Sequence, residues 1–305
     1  MNAGAVFPAE PAAAPEPPFV VRRPQPSSAS ASSPPSPSRV GPLVFASPHS
    51  GRLYPAAMMQ ASRLDAAQIR RSEDAFVDGL VEGGLAHGAS LITATHARAF
   101  IDVNRAPYEL DPAMFAEPLP AFVQTRTSRV AAGLGSIARL VSEGQEIYAR
   151  KLTFAEAEAR IAAVHQPYHF ALAELIDQAR AANGKALLVD WHSMPSAAAV
   201  RAGREGCDIV LGDRFGAACA AGVTEAAARA FLALGYRVLR NIPYAGGYTT
   251  ELYGKPEAGL HALQIEINRS LYLDEPSLEP HAGFARLRHD LEAVFAALAQ
   301  AATRL

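Results

Sequence analysis

Val189-Asp190-Trp191-His192-Ser193 closes a short apolar run that begins at Ala186 and is entered through Asn183-Gly184. An apolar run of this length, bounded by a turn signal, is typical of a buried parallel strand. A histidine at the carboxyl end of such a strand lies where open α/β sheets bind their ligands. The stretch therefore predicts an α/β fold with a ligand site near His192.

A second segment, Leu43-Val44-Phe45-Ala46-Ser47-Pro48-His49-Ser50-Gly51, has the same design, an apolar strand followed by a histidine. A hydrolytic zinc needs about three protein ligands and one open position for water. His49 and His192 are the best ligand candidates among the nine histidines, because both follow predicted strands. Together they predict one metal site assembled from distant parts of the chain. The alternative is that each is a satisfied core or surface residue.

Composition and charge argue against several classes of protein. Lys and Arg total 28 against 30 Asp and Glu, and these scattered charges do not predict a nucleic-acid-binding face. No apolar run approaches the roughly 20 residues that span a bilayer. The amino-terminal residues lack the basic start and apolar centre of a secretory signal. We therefore expect a cytoplasmic protein without a membrane partner, and the sequence does not indicate its oligomeric state.

The amino-terminal segment differs in composition from the rest of the chain. Ten of the 23 prolines fall between Pro8 and Pro37, among many alanines and serines. Such a composition buries too little apolar surface to fold alone, so residues 1–39 are expected to be largely disordered. Residues 19–23 are a possible edge strand within this segment. Residues 40–305 are expected to form a single folded domain.

Strands and helices alternate from residue 40 onward. This alternation predicts an α/β fold whose central sheet is mainly parallel or mixed, with helices on both faces. Residues 106–135, rich in Pro and Gly, read as a long surface excursion. The helix over 154–181 is expected to be interrupted at Gln166-Pro167. Strands are predicted at 43–46, 90–94, 186–189, 208–211, 236–239 and 263–267, and helices at 65–85, 154–181, 224–234 and 284–303.

An acidic third ligand is expected from Ser72-Glu73-Asp74-Ala75-Phe76-Val77-Asp78. Asp74 and Asp78 are one helical turn apart, so they share a face if this segment is helical. Asp74 is the preferred ligand and Glu73 the second choice. The alternative is that these carboxylates are solvated surface groups.

Two arginines lie within the largely apolar segment Ala97-Arg98-Ala99-Phe100-Ile101-Asp102-Val103-Asn104-Arg105. Guanidinium groups bind carboxylates through two parallel hydrogen bonds, and they also stabilise oxyanions. Arg98 and Arg105 are candidates for these two tasks, with surface ion pairs as the alternative. Asp102 is expected to orient an arginine rather than to react.

Glu266 lies between two isoleucines in Leu263-Gln264-Ile265-Glu266-Ile267-Asn268-Arg269. A buried carboxylate is costly unless it is paired or partly protonated, and its pKa then moves toward neutrality, as a general base requires. The alternative is a structural ion pair between Glu266 and Arg269. The loop over residues 241–248 carries Tyr244, Gly246 and Gly247 as candidate substrate contacts, or it is a plain turn.

Taken together and in this order, these segments resemble the N-formylglutamate amidohydrolase family. The similarity extends from about Val40 to the last helix, and seven motifs in a fixed order are specific although each alone is weak. The matching stretches are Ser47–Gly51, Asp74 with Val77-Asp78, Phe100–Arg105, Gln166–His169, Val189–Pro195, Asn241–Tyr248 and Gln264–Arg269.

The resemblance implies a zinc-dependent hydrolase with a fold like that of zinc carboxypeptidases and aspartoacylases. Carried over residue by residue, it implies one zinc ion, or another first-row divalent metal, bound by His49, Asp74 and His192. Glu266 would then be the general base and Arg98 the oxyanion stabiliser. Asn104 and Arg105 would together clamp a carboxylate of the substrate.

The substrate class implied is a small N-acyl amino acid that carries a carboxylate. N-formyl-L-glutamate is the expected substrate and formate and L-glutamate the products, the last step of a histidine-degradation route in this family. One alternative is hydrolysis of another N-acyl amino acid or a small peptide. The other alternative is a non-catalytic carboxylate-binding protein of the same fold.

Overall fold

The computed structural model describes residues 16–24, 40–141, 144–201 and 206–305. The disorder expected for residues 1–39 falls largely outside these ranges. Within the described residues, seven strands form one central sheet: β1 (Phe19–Arg22), β2 (Leu43–Ser47), β3 (Ser90–Ala94), β4 (Ala186–Met194), β5 (Ile209–Gly212), β6 (Val238–Arg240) and β7 (Leu260–Asn268). Their order in the sheet is β1-β3-β2-β4-β7-β5-β6.

The sheet is mixed. Strands β3, β2, β4 and β7 run parallel to one another, β1 is antiparallel to β3, and β5 is antiparallel to β7 but parallel to β6. The short strand β1 lies at one edge, within the segment considered for an edge strand. Helices cover both faces, so the predicted α/β fold with a mixed central sheet is confirmed.

The helices connect the strands and supply the layers on either side of the sheet. Their bounds are α1 (Ala56–Ala61), α2 (Ala66–Ile69), α3 (Val77–Val81), α4 (Ser128–Ala131), α5 (Phe154–Arg160), α6 (Gln166–Asn183), α7 (Ser196–Arg201), α8 (Ala221–Ala233), α9 (Tyr248–Tyr253) and α10 (Gly283–Arg304). Short two-stranded ribbons pair Leu140–Val141 with Gln145–Glu146 and Leu273–Asp274 with Glu279–Pro280.

Two apolar cores lie on opposite faces of the sheet because successive strand residues point to opposite sides. On one face, Trp191 packs its ring 5.3 Å from that of Phe45 and 5.7 Å from that of Phe295 of α10. On the other face, residues such as Val44 and Leu188 pack against α6. The central strands are therefore buried on both sides, as the continuous apolar runs predict.

The excursion over residues 106–135 lies beside the sheet and encloses a third apolar core. Leu110, Met114, Val123 and Ile137 are buried in it together with residues of α1 and α5. The segment is thus packed against the body of the protein, and its inner side faces the cavity described below.

Two helix predictions differ from the structure. Residues 65–85 do not form one helix: α2 passes into a 3₁₀ turn, the chain leaves the helix at Glu73, and α3 begins only after Phe76, whose φ of 62° is left-handed. At Gln166-Pro167, by contrast, the backbone stays helical. A π-helical turn at Ile161–His165 precedes α6, and proline is tolerated in the first turn of a helix.

Among the described residues, none of the helices combines the length and the apolar character that crossing a membrane requires.

Candidate metal centre and active-site cavity

Three buried side chains meet at the carboxyl ends of β2 and β4. His192 Nδ1 lies 3.1 Å from His49 Nδ1 and 3.0 Å from Asp74 Oδ2. His49 Nδ1 lies 3.3 Å from the same carboxylate oxygen. Within the part of the chain that the structure describes, these residues form a group that could hold a metal ion.

Backbone contacts fix this arrangement. His49 follows the end of β2 by two residues, and its carbonyl accepts a hydrogen bond from the amide of Asp74 at 3.0 Å. The hydroxyl of Ser50 donates to the carbonyl of Asp74 at 3.1 Å. A Cβ at Gly51 would lie 2.2 Å from the carbonyl oxygen of His96, so only glycine fits there without a shift. His49 and Ser50 thus hold the backbone of Asp74 in place.

A carboxylate contacts the far nitrogen of each histidine. His49 Nε2 lies 2.7 Å from Asp102 Oδ1, and His192 Nε2 lies 3.0 Å from Asp190 Oδ2. Such a carboxylate fixes the orientation of the ring and, by accepting the Nε2 proton, leaves the Nδ1 lone pair for a metal. Both histidines therefore present Nδ1 to the centre of the cluster.

The geometry and chemistry of this donor set fit zinc. Two imidazole nitrogens and one carboxylate oxygen are common zinc ligands, and ligand atoms around a tetrahedral zinc lie roughly 3.3 Å apart. The three separations of 3.0–3.3 Å agree with that spacing. Other first-row divalent metals accept the same donors.

The second oxygen of Asp74 is occupied by protein donors. Asp74 Oδ1 accepts hydrogen bonds from Arg269 Nη2 at 3.1 Å and from the Ser193 hydroxyl at 3.4 Å. Although burial opposes the charge, hydrogen bonds to His192 and His49 hold the pKa of Asp74 well below its ordinary value. The ion pair expected as an alternative, between Arg269 and Glu266, is wrong, because the guanidinium binds Asp74 instead.

The expectation for the other acidic residues of the same segment is corrected by the structure. Asp74 and Asp78 do not share a helix face, because Asp74 precedes α3 and Asp78 pairs with Arg52 at 2.7 Å. Glu73, the second choice as a ligand, is buried elsewhere, where it accepts hydrogen bonds from Tyr54 at 2.8 Å and Arg70 at 3.1 Å. Asp74 is the acidic residue that the structure brings to the histidines.

Glu266 lies on the strand next to His192. Their strands are in register at this pair, so both side chains emerge on the same face of the sheet. Gln264 Nε2 donates to Glu266 Oε1 at 2.9 Å. Burial, with the nearby charge of Asp74 as a further cause, raises the pKa of Glu266 to about 7. The carboxylate therefore has the environment that the sequence predicts for it.

Arg98 extends toward the same centre and pairs with Asp102, the partner of His49. Arg98 Nη2 donates to Asp102 Oδ2 at 2.6 Å. Burial opposes its charge, but the carboxylates of Asp102 and Asp74 outweigh this and raise the pKa of Arg98. The guanidinium is thus a permanent cation beside the cluster, and Asp102 orients it as expected while also orienting His49.

The side-chain amide of Asn104 contacts Asp190, His192 and the backbone of Thr249. Its Nδ2 donates to Asp190 Oδ2 at 3.0 Å and lies 2.9 Å from His192 Nε2, while its Oδ1 accepts from the Thr249 amide at 2.8 Å. Both ends of the amide group are therefore engaged with the protein. Arg105 is half-buried and donates to the backbone carbonyls of Asn104 and Leu134, at 2.8 Å and 3.2 Å.

These groups line one cavity of about 970 Å³. The loop over residues 241–248 forms part of its wall, with Tyr244 half-buried and the Gly247 amide donating to Gln264 Oε1 at 2.7 Å. A Cβ at Gly247 would lie 2.7 Å from Asn104 Oδ1, which explains the glycine. The predicted site residues that share this cavity are His49, Asp74, Arg98, Asn104, Arg105, His192, Tyr244, Gly246, Gly247 and Glu266.

The sequence-based predictions assign no role to Asp190 and Gln264. Asp190 holds the ring of His192, and Gln264 holds both Glu266 and the Gly247 amide. Alternation along the strands is the signal that finds them, because each lies two residues before a predicted site residue and on the same face.

Comparison with known proteins identifies relatives of this chain. The family model of N-formylglutamate amidohydrolase matches residues 41–273 of the chain. The chain is 31% identical over 241 residues to an N-formylglutamate deformylase of Pseudomonas aeruginosa, covering 77% of this chain and 83% of the relative. It is 28% identical over 249 residues to the enzyme of that name from Pseudomonas putida, covering 77% and 82%.

Solved structures extend the likeness to three dimensions. The crystal structure of an N-formylglutamate amidohydrolase from Ralstonia eutropha JMP134 superposes with a TM-score of 0.85 at 35% sequence identity, covering 94% of this chain and 99% of that one. A gene product of Agrobacterium tumefaciens shares the fold at 18% identity, with a TM-score of 0.60, covering 93% of this chain and 96% of that one.

Proposed function

Because the chain belongs to the N-formylglutamate amidohydrolase family, we propose that it hydrolyses N-formyl-L-glutamate to formate and L-glutamate. The observation that carries this proposal is the meeting of His49, Asp74 and His192 in one cavity with Glu266 and several arginines. The names of its relatives support the same substrate. In this proposal residues 40–305 act as one hydrolase domain.

His49, Asp74 and His192 would hold one divalent metal ion, with zinc as the first choice. Such an ion lowers the pKa of a bound water and polarises a carbonyl group. Asp102 and Asp190 keep the two imidazole rings oriented toward it. Arg269 and Ser193 hold the other oxygen of Asp74, so a single oxygen of that carboxylate would remain for the ion.

Glu266 acts as the general base and then as the general acid. A carboxyl group whose pKa is about 7 is half-ionised near neutral pH, so it both accepts a proton from the attacking water and returns it to the leaving amine. Glu266 lies on the strand beside His192, so its carboxylate is close to the place where water would attack the formyl group. Gln264 fixes one carboxylate oxygen and leaves the other for the water.

Arg98 stabilises the negative charge that develops on the formyl oxygen. Loss of one such donor typically lowers the rate by ~10²–10³. Because Asp102 holds one arm of the guanidinium, its remaining N–H groups are oriented before substrate arrives. Arg105 binds the substrate α-carboxylate through the N–H groups that the backbone does not use. Asn104 is a positioning residue for Asp190 and His192 rather than part of this clamp.

The experiment that tests the proposal compares formate or acetate release from N-formyl-L-glutamate, N-formyl-L-glutamine and N-acetyl-L-aspartate by the purified zinc-loaded protein. We expect the highest kcat/KM on N-formyl-L-glutamate and loss of activity in the Glu266→Gln variant. A higher kcat/KM on N-acetyl-L-aspartate would assign the cavity to another N-acyl amino acid. Absence of hydrolysis on all three would contradict the proposal.

A further inference from the structure

The wall of the cavity formed by residues 128–141 carries a cation, Arg129, that the chemistry above does not use. Its guanidinium lies 3.6 Å from Glu109 Oε2, too far for a hydrogen bond. Among the described residues no other side chain pairs with it. About a third of its side chain is exposed, at 33%. Arg129 therefore has hydrogen-bond donors available to a molecule in the cavity.

Glu109, the neighbour of Arg129, is itself incompletely satisfied. It is buried, its Oε1 accepts from the Thr127 hydroxyl, and its Oε2 has no hydrogen-bond partner among the described residues. Thr127 also caps α4 by accepting from the Val130 amide at 3.1 Å. Glu109 thus attracts Arg129 electrostatically and leaves its N–H groups uncommitted.

The loop that carries Arg129 is held rigidly against Arg105. The carbonyl of Arg129 accepts from the Leu134 amide at 2.8 Å, and the carbonyl of Leu134 accepts from Arg105 Nε at 3.2 Å. The Ser136 amide donates to the Glu109 carbonyl at 2.8 Å, and a Cβ at Gly135 would lie 2.3 Å from that carbonyl oxygen. The backbone of this loop therefore places Arg105 and Arg129 on one wall of the cavity.

Among the described residues, three guanidinium groups at this end of the cavity contact two carboxylates. The guanidinium groups of Arg98, Arg105 and Arg129 share the carboxylates of Asp102 and Glu109, and Asp102 also contacts His49. Burial, followed by the repulsion of Arg98 and Arg129, lowers the pKa of Arg105. An anionic ligand with two carboxylates would relieve this repulsion.

We propose that Arg129 binds the side-chain carboxylate of the substrate and so selects dicarboxylic N-acyl amino acids. This inference rests on the proposed function. Arg105 lies 3.9 Å from Asp102, which contacts the ligand candidate His49, whereas the carboxylate beside Arg129 is that of Glu109. Of these two arginines, we therefore place Arg105 nearer to the reacting carbonyl. The α-carboxylate, which is closer to the scissile bond than the side-chain carboxylate, is therefore assigned to Arg105. The more distant carboxylate is left to Arg129.

The test compares wild-type protein with Arg129→Gln and Arg129→Lys on N-formyl-L-glutamate and N-formyl-L-glutamine. A charge-assisted hydrogen-bonded pair predicts that Arg129→Gln lowers kcat/KM on the glutamate substrate by roughly 10- to 100-fold, mainly through KM. On the uncharged glutamine substrate we expect a change of less than about threefold, and Arg129→Lys should restore part of the preference. Arg229→Gln is the matched control, because Arg229 is 70% exposed on α8.

A second measurement separates this inference from the proposed function. Calorimetry gives the affinities of L-glutamate and L-glutamine, which carry no scissile bond, for the same variants. We expect wild-type protein to prefer L-glutamate and Arg129→Gln to lose that preference, whether or not formate is released. Unchanged preference in both assays, or equal losses on both substrates, would overturn the assignment of Arg129. Absence of hydrolysis with a preference that depends on Arg129 would contradict only the proposed function.

Discussion

Replacing Asp190 by Asn should weaken metal binding without removing a metal ligand. Asp190 Oδ2 accepts from His192 Nε2 and from Asn104 Nδ2, both at 3.0 Å. An asparagine keeps a neutral acceptor of the same shape but removes the charge that favours the Nε2–H tautomer. Loss of such a carboxylate typically costs 10- to 100-fold in metal affinity, or about 1.4–2.8 kcal/mol. We expect the zinc Kd of Asp190→Asn to rise within that range.

The assay is a competition titration of zinc between the protein and a chromophoric chelator. Asp213→Asn is a matched control, because Asp213 is also fully buried and also accepts a hydrogen bond from an asparagine, Asn241, at 2.8 Å. Its contacts include none of the three ligand candidates, so we expect its zinc Kd to match that of wild type. A Kd for Asp190→Asn within about twofold of wild type would refute the reasoning, because the carboxylate would then not tune its histidine.

Two further predictions concern catalysis and acid stability. Glu266→Gln should lower kcat by ~10²–10⁴ while zinc affinity stays near that of wild type, and a parallel loss of zinc would contradict its role as a base. Burial lowers the pKa of His169 to about 4, against about 6.5 when unfolded, so the unfolded chain takes up a proton that the folded protein excludes. Stability should therefore fall by up to about 3 kcal/mol between pH 6.5 and pH 4, measured by urea unfolding, and His169→Gln should lose less.

The sequence predicts those site residues whose roles follow from their positions on or just after a strand. His49 and His192 follow apolar runs, and the carboxyl ends of parallel strands meet at one edge of a sheet. Glu266 is predicted as a site residue from its apolar neighbours, and its register with His192 follows from the pairing of β4 with β7. These predictions needed only the period of the strands and the cost of burying a charge.

Other features depend on long-range contacts that no local pattern encodes. The partner of Arg269 is Asp74, which is 195 positions away in the chain. Asp74 reaches the histidines because the chain leaves the helical path before Phe76, whose left-handed backbone is unusual for a phenylalanine. Periodicity over residues 65–85 predicts one helix, since it reports apolar spacing and not the loop that the site requires.

Asp190 lies beyond the predicted end of its strand, at Val189, although the strand itself was predicted. The polar residues after Val189 suggest that the strand ends there, but β4 continues to Met194 and is buried along its whole length. A strand that stays paired keeps its alternation, so Asp190 and His192 face the same side. Polar residues that follow a buried apolar run therefore indicate that the strand continues, with alternate polar residues on the face that forms the site.

Metal location tests the central claim most directly. A crystal of the zinc-loaded protein, with anomalous diffraction recorded on both sides of the zinc absorption edge, shows where the ion lies. We predict a single peak in contact with His49 Nδ1, His192 Nδ1 and one oxygen of Asp74, at roughly 2.0–2.2 Å from each. A peak bound elsewhere, or rings of His49 and His192 that share no ion, would contradict the account.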